Sequence, residues 1–296
     1  PPDPPEKSDG LLLTPSDPRA SARAWLHRDK LDGRLWFTDG VFYLWDRGAY
    51  RVLSPGELKS RIATFLDKAQ KSTPTRFVPF APKATDVQEV FTSLQHLTFT
   101  TATAPAWLEP HDWRITDCVL CANGVLHIPT RTLAPLTPRF FSLNPLDFAY
   151  AADAPEPIGW LRFLDSLLPD DPEPIASLQE WMGLLLTPET RYHKIFVIQG
   201  PPRCGKGTIA KVIKALVGER NVCSPKLGNF GRQFGQQALI DKTVAIFADA
   251  KISGRTDPGE IVENLLSISG EDTQTIPRKG ISDWIAIRNT SPIWTS

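Results

Sequence analysis

The sequence predicts an α/β chain in which a smaller mixed α+β region precedes an α/β core, and three observations carry that prediction. An apolar stretch, Ile195-Phe196-Val197-Ile198, leads into Gly200-Pro201-Pro202-Arg203-Cys204-Gly205-Lys206-Gly207-Thr208. A helical pattern follows, with Ile209, Val212, Ile213, Leu216 and Val217 on one face. A second apolar strand, Thr243 to Ala248, ends in Asp249. The N-terminal part instead shows short strands separated by Asp-Gly and Arg-Gly turns.

Strand, glycine-flanked loop and helix, in that order, are the context a phosphate-binding loop requires. Gly200 and Gly205 permit backbone dihedrals that curl successive N–H groups around a phosphate, and the helix N-terminus adds partial positive charge. Residues 200–208 are therefore the expected contacts for ATP, with Lys206 placed to reach the outer phosphates. A plain turn that happens to hold a lysine is the competing reading, and the flanks favour it less. Ser or Thr commonly follows the lysine and meets Mg²⁺. Here Gly207 stands in that place and Thr208 comes one later, so Thr208 is the candidate hydroxyl.

Asp249, about 40 residues beyond the loop, fits a Walker B acid that holds Mg²⁺ directly or through water. An aspartate ending a strand also serves as an ordinary helix cap. Many ATPases place a glutamate next; Ala250-Lys251 follow here, which leaves Glu260, Glu263 and Glu271 as candidate bases by proximity in sequence only. Beyond them, Ile261 to Ile268 reads as a helix ended by Gly270. Thr273 to Pro277 and Ile281 to Ile287 then read as a hairpin with the basic tip Arg278-Lys279-Gly280.

The 296 residues suggest two domains, and 41% apolar residues supply ample core. Net charge is zero, so any contact with nucleic acid has to be local. No apolar run approaches a membrane span and no signal peptide opens the chain, which points to a cytoplasmic protein with no membrane partner. It begins Pro1-Pro2, its one methionine is Met182, and it stops at Ile293-Trp294-Thr295-Ser296 within an expected strand, so it reads as a piece of a longer protein. Cys118 and Cys121 form a CxxC, but no second pair of suitable spacing exists for zinc, and buried thiols on a strand are the better reading.

Residues 1–15, polar and proline-rich, are expected to be a flexible tail or linker. Residues 16–150 form the expected α+β domain. Its first helix starts at Ser16 or Asp17, with Pro18 in the first turn and Ala22, Trp25 and Leu26 turned inward. Strands follow at Leu35 to Phe37, Val41 to Trp45 and Tyr50 to Leu53. Ser54-Pro55-Gly56-Glu57 has capping-box spacing ahead of Leu58, Ile62, Phe65 and Leu66. The aromatics Trp36, Phe37, Phe42, Tyr43, Trp45 and Tyr50 suit either a base-stacking platform or, more commonly, the core of a small sheet. A hairpin joins Cys118–Ala122 to Val125–Ile128 at Asn123-Gly124. Residues 151–190 are a helical connector, with helices near 158–168 and 173–186, and residues 191–296 are the nucleotide-binding core.

The order of GPPRCGKGTI, NFGRQFGQQALIDKTVAIFADAKI, EIVENLLSISGEDTQTIPRKGISDW and SPIWTS resembles phage and plasmid primase-helicases. These are superfamily III helicases, the group of the satellite-phage and poxvirus enzymes. Phe42-Tyr43 to Tyr50, Ala122 to Leu126 and Leu178 to Gly183 are similar to that family's domain ahead of the helicase, so the resemblance covers most of residues 20–296. It implies an AAA+-like P-loop NTPase core that assembles as a homo-oligomeric ring, usually a hexamer, around single-stranded DNA. The implied activity is an ATP-dependent DNA helicase, working with replication proteins in the cytoplasm of a bacterial or phage-infected host.

By matching motifs, Lys206 and Thr208 carry over as phosphate contacts, Asp249 as the Walker B acid, and Arg278 and Lys279 as part of the DNA-contacting hairpin. The family's sensor asparagine is expected just after Ser296 and its arginine finger further on, so the core is expected to be incomplete and poorly active alone. Two other readings stay open. GPPxxGKGT is also the loop of nucleoside-monophosphate kinases, although 199 residues precede it here and no arginine-rich lid follows. The missing acid beside Asp249 also admits a non-catalytic nucleotide-binding adaptor.

Overall fold

Residues 11–189, 191–226, 235–248, 258–269, 274–278, 281–286 and 291–295 are described by a computed structural model. The chain divides into two units, residues 1–103 and 104–296. That division falls inside the span 16–150 that composition groups together.

In the first unit, local capping chemistry sets the helix starts. Asp17 accepts from the Ala20 N–H at 2.8 Å and begins α1 (Pro18–Arg28), with Pro18 where no helical N–H is needed. An antiparallel meander follows: β1 (Leu35–Thr38), β2 (Val41–Asp46) and β3 (Ala49–Leu53). Asp39-Gly40 and Arg47-Gly48 all have positive φ, as primed hairpin turns demand. Ser54 Oγ accepts from the Glu57 N–H at 3.2 Å and starts α2 (Pro55–Asp67), whose Leu58, Ile62, Phe65 and Leu66 are buried. Next come β4 (Gln70–Ser72), β5 (Phe77–Pro79) and α3 (Ala84–Leu97). Val90, Phe91 and Leu94 of α3 join Trp25, Leu35 and Phe42 in one core.

That core decides the role of the meander aromatics. Phe42, Tyr43 and Tyr50 are buried, and Phe42 packs its ring 4.7 Å from Phe37 and 5.3 Å from Phe91. The Trp36 indole donates to the Tyr50 hydroxyl at 3.1 Å, which itself donates to the Gly33 carbonyl. Rings engaged in this way are not a base-stacking platform. Ordered structure also reaches further back than residue 16. Leu13 is buried, its N–H donates to the Gln70 carbonyl at 2.8 Å, and the Gln70 N–H donates to Leu11 at 2.9 Å. Residues 1–10 of the expected tail lie outside the described residues.

The second unit begins with β6 (Ala106–Trp107), β7 (Cys118–Cys121), β8 (Gly124–His127), β9 (Thr132–Ala134) and β10 (Phe140–Phe141). They form an antiparallel sheet β7-β8-β9 and a separate pair of β6 with β10. Gly124 opens β8 because a Cβ there would collide with the Ala134 carbonyl oxygen on β9. Asn123 behaves as a strand edge, donating to the Tyr150 carbonyl and accepting from its N–H, both at 2.9 Å.

Helices α4 (Ile158–Leu167) and α5 (Pro172–Leu184) then lead to β11 (Phe196–Ile198), α6 (Lys206–Val217), β12 (Val222–Cys223), β13 (Val244–Ala248), α7 (Pro258–Ser269), β14 (Gln274–Arg278), β15 (Ile281–Ala286) and β16 (Ser291–Thr295). Strands β14 and β15 form an antiparallel hairpin. The other four make a parallel sheet in the order β11-β16-β13-β12. Successive side chains of β13 alternate between its faces. Val244 and Ile246 pack with Leu164, Trp181, Ile209 and Ile213 of α4, α5 and α6, while Ala245 and Phe247 pack with Leu239 and with Leu265 of α7. Covering on both faces is what a parallel sheet requires. Buried Asn221 ties the sheet to the segment before α4: it donates to Val217 O at 2.7 Å and Pro145 O at 3.1 Å, and accepts from Asn144 at 3.1 Å. The protein is thus mixed α/β, with several small sheets.

Candidate functional site

The loop from Gly200 to Gly205 leaves the carboxyl end of β11 and enters α6 at Lys206. Its turn into the helix is made at Gly205, whose φ of +86° lies in the left-handed region. A side chain there would also meet the Leu167 methyls at 2.9 Å and Phe163 Cζ at 3.3 Å. Gly200 is held small by a neighbour in its own loop, since a Cβ would lie 2.7 Å from Cys204 Sγ. Arg203, at φ +67°, bends the exposed crest Pro201-Pro202-Arg203 back toward the helix.

Lys206 folds over this loop. Its ammonium donates to Gly200 O at 2.6 Å and Pro201 O at 3.0 Å, and lies 3.6 Å from Cys204 Sγ. The N–H groups of Thr208 and Ile209 return to Gly205 O at 2.9 and 3.0 Å. Those of Lys206 and Gly207, in the first turn, have no carbonyl of the helix to meet. Thr208 is exposed on that turn. Lys206 and the exposed Thr208 thus belong to the first turn of a helix, whose N-terminal partial positive charge suits an anion.

Strands β11, β16 and β13 end level with one another, Ile198 paired with Thr295 and Thr295 with Ala248. The loop helix α6 packs on one face of this sheet and α7 on the other, so the connections after β11 and β13 diverge at its carboxyl edge. Asp249 follows Ala248 in sequence and lies outside the described residues, as do Ala250, Lys251, Glu271, Lys279 and Gly280. Arg278 is the last residue of β14, paired with Ile281, so the expected basic tip coincides with the end of the β14–β15 hairpin. Side chains of Arg278 and Glu260 are not among those described. Glu263 is exposed on α7.

Both cysteines of the CxxC are buried on β7. Burial, reinforced by the charge of Asp117, pushes the Cys118 thiol up to about 11, and burial also raises Cys121. Cys118 Sγ donates to Arg114 O at 3.2 Å. No group of three or more metal-ligating residues occurs among the described residues.

Two features of this unit escape sequence reasoning. Phe163 and Leu167 of α4 back the loop at Gly205, and nothing in an ordinary amphipathic helix marks which apolar residues do so. A cavity of about 640 Å³ opens between α5 and the segment leading to β11, lined by Glu180, Trp181, Glu189, Arg191, Tyr192 and Phe196 among others. It includes none of residues 200–208. No helix among the described residues is long and apolar enough to cross a membrane.

A family profile described as a family of unknown function (DUF5906) matches residues 198–296, the segment from the end of β11 onward. No curated protein matches the chain. Among solved structures, an apo A form of the NrS-1 C-terminal region is similar at TM-score 0.55 and 14% identity, over 92% of this chain and 56% of that one. An A form of NrS-1 residues 305–718 gives 0.56 and 15%, over 95% and 57%. A further apo structure of the same region gives 0.57 and 13%, again over 95% and 57%. At these identities the likeness shows a shared fold, and this chain spans little more than half the length of those structures.

Proposed function

We propose that residues 200–208 bind ATP and that the chain is the nucleotide-binding part of a replicative DNA helicase of the primase-helicase kind. The observation that carries this reading is the geometry at the head of α6. There, left-handed Gly205 turns the chain and the Lys206 ammonium sits over the loop, at a helix end whose first N–H groups have no partner within the helix. The position supports it, because ligands of open α/β sheets bind outside the carboxyl ends of strands whose connections diverge. The shared fold with the C-terminal region of NrS-1 is compatible with this reading.

In this reading the N–H groups of Lys206 and Gly207 accommodate phosphate oxygens. Lys206 exchanges its carbonyl partners for the outer phosphates and neutralises charge there. Thr208 and Asp249 would hold Mg²⁺, which would neutralise charge on the phosphates. Residues 191–296 are the P-loop NTPase core, reached through the helical connector 151–190. Copies of the chain assemble as a ring around single-stranded DNA, which Arg278 and Lys279 contact in the central channel. Replication proteins in a bacterial or phage-infected cytoplasm are its partners.

Calorimetry with ATP tests the site directly. A charge-assisted contact is worth about 1.5–3 kcal/mol, so Lys206→Ala should weaken binding roughly tenfold to a hundredfold. Equal affinities for the two proteins would remove the nucleotide assignment.

A further inference from the structure

A second surface, in the first unit, pairs an exposed ring with unopposed positive charge. Between Leu58 and Thr85 the chain carries Lys59, Arg61, Lys68, Lys71, Arg76 and Lys83 against the single acid Asp67, in a protein of zero net charge. The acids that flank this stretch are engaged. Glu57 pairs with Arg51 and Arg61, each at 2.8 Å, and Asp86 accepts from the Lys83 backbone N–H at 2.8 Å. Among the described residues, Lys68, Lys71, Arg76 and Lys83 take part in no ion pair.

The hairpin of β4 and β5 lies in the middle of this stretch. Phe77 pairs with Ser72 and is 50% exposed, whereas Lys71 and Val78 share the opposite face, where the Lys71 ammonium lies 5.9 Å from the buried Phe80 ring. The tip is tightly closed around Pro74. The Thr73 N–H and hydroxyl donate to Arg76 O at 2.9 and 2.6 Å, and the Arg76 N–H donates to Thr73 Oγ1 at 3.2 Å. At its base, β4 is held by Leu11 and Leu13 and β5 is continued by Phe80 N–H donating to Ala69 O at 2.9 Å. Arg76 and Phe77 are therefore presented by a preorganised element, which lowers the entropy lost on binding.

We propose that the tip of the β4–β5 hairpin is a binding surface for single-stranded nucleic acid, with Phe77 stacking on a base and the adjacent Arg76 contacting a phosphate. Charge selects a polyanion, and an exposed ring selects one with unpaired bases, because bases within a duplex offer no open face. Every base has such a face, so recognition is independent of sequence. The surface lies outside the nucleotide loop and does not rest on the helicase reading.

Fluorescence anisotropy of the full chain with a labelled dT20 strand tests it, with a duplex of the same length and poly-glutamate as competitors. Phe77→Ala should weaken dT20 binding by about 5- to 100-fold with little change in salt dependence, and Phe77→Tyr should restore it. Arg76→Ala should flatten the salt slope by about 0.7, the value for one phosphate on a single strand. Arg23→Ala, which removes an exposed cation of α1 outside every proposed site, should leave both readings as in the unaltered chain. Unchanged affinity in Phe77→Ala, or poly-glutamate competing as well as single-stranded DNA, would overturn the proposal.

Discussion

Gly205→Ala tests the geometry of the nucleotide loop more sharply than removal of its lysine. A non-glycine residue held in the left-handed region costs about 1–2 kcal/mol, and Gly205 sits at φ +86°. The added methyl would also lie 2.9 Å from both Leu167 methyls and 3.3 Å from Phe163 Cζ. These are the ends of flexible side chains, and moving them off their rotamers adds about 0.5–1.5 kcal/mol. The total, about 1.5–3.5 kcal/mol, corresponds to a fall of roughly 3–14 °C in the melting of a unit this size.

Gly207→Ala is the matched control. It lies two residues on, within α6, and a Cβ there has no neighbour within 4 Å among the described residues. Helix propensity alone should then leave stability unchanged or raise it by up to about 1 kcal/mol. Differential scanning calorimetry of both variants, followed by ATP titration of each, reads the two effects apart. Gly205→Ala should lose both thermal stability and nucleotide affinity. Equal melting of Gly205→Ala and the unaltered protein would refute the left-handed turn, and with it the phosphate-facing loop.

Two further outcomes follow from the second unit. Cys118 and Cys121 stay protonated at pH 8, because burial raises both thiols; below its folded value of about 11, Cys118 is a neutral thiol. Iodoacetamide labelling followed by mass spectrometry should therefore modify half-exposed Cys204 and Cys223 first, and saturating ATP should protect Cys204 selectively. Asn221→Ala removes three hydrogen bonds, to Val217, Pro145 and Asn144, from a buried position. At about 1 kcal/mol each it should lose roughly 2–4 kcal/mol in urea unfolding.

Much of the chain was legible because its signals are local. Asp17 with Pro18, Ser54 with Glu57, and the two primed turns at 39–40 and 47–48 act over four residues or fewer, so the sequence states them without help from the rest of the fold. The same holds for Gly205 and Lys206, whose loop needs only the strand before it and the helix after. In α3, Val87, Val90, Phe91 and Leu94 likewise repeat at helical spacing.

What depended on partners distant in sequence was decided by tertiary structure alone. The apolar run of β13 does not say that Val244 and Ile246 face one set of helices while Ala245 and Phe247 face another. Nor does it say that β16 inserts between β11 and β13. The meander aromatics became core because α3 brought Phe91 against Phe42, whereas Phe77, on the β4–β5 hairpin, remained exposed. Amino-acid identity set what each ring was able to do. Burial by residues far along the chain determined which ring was left free to do it.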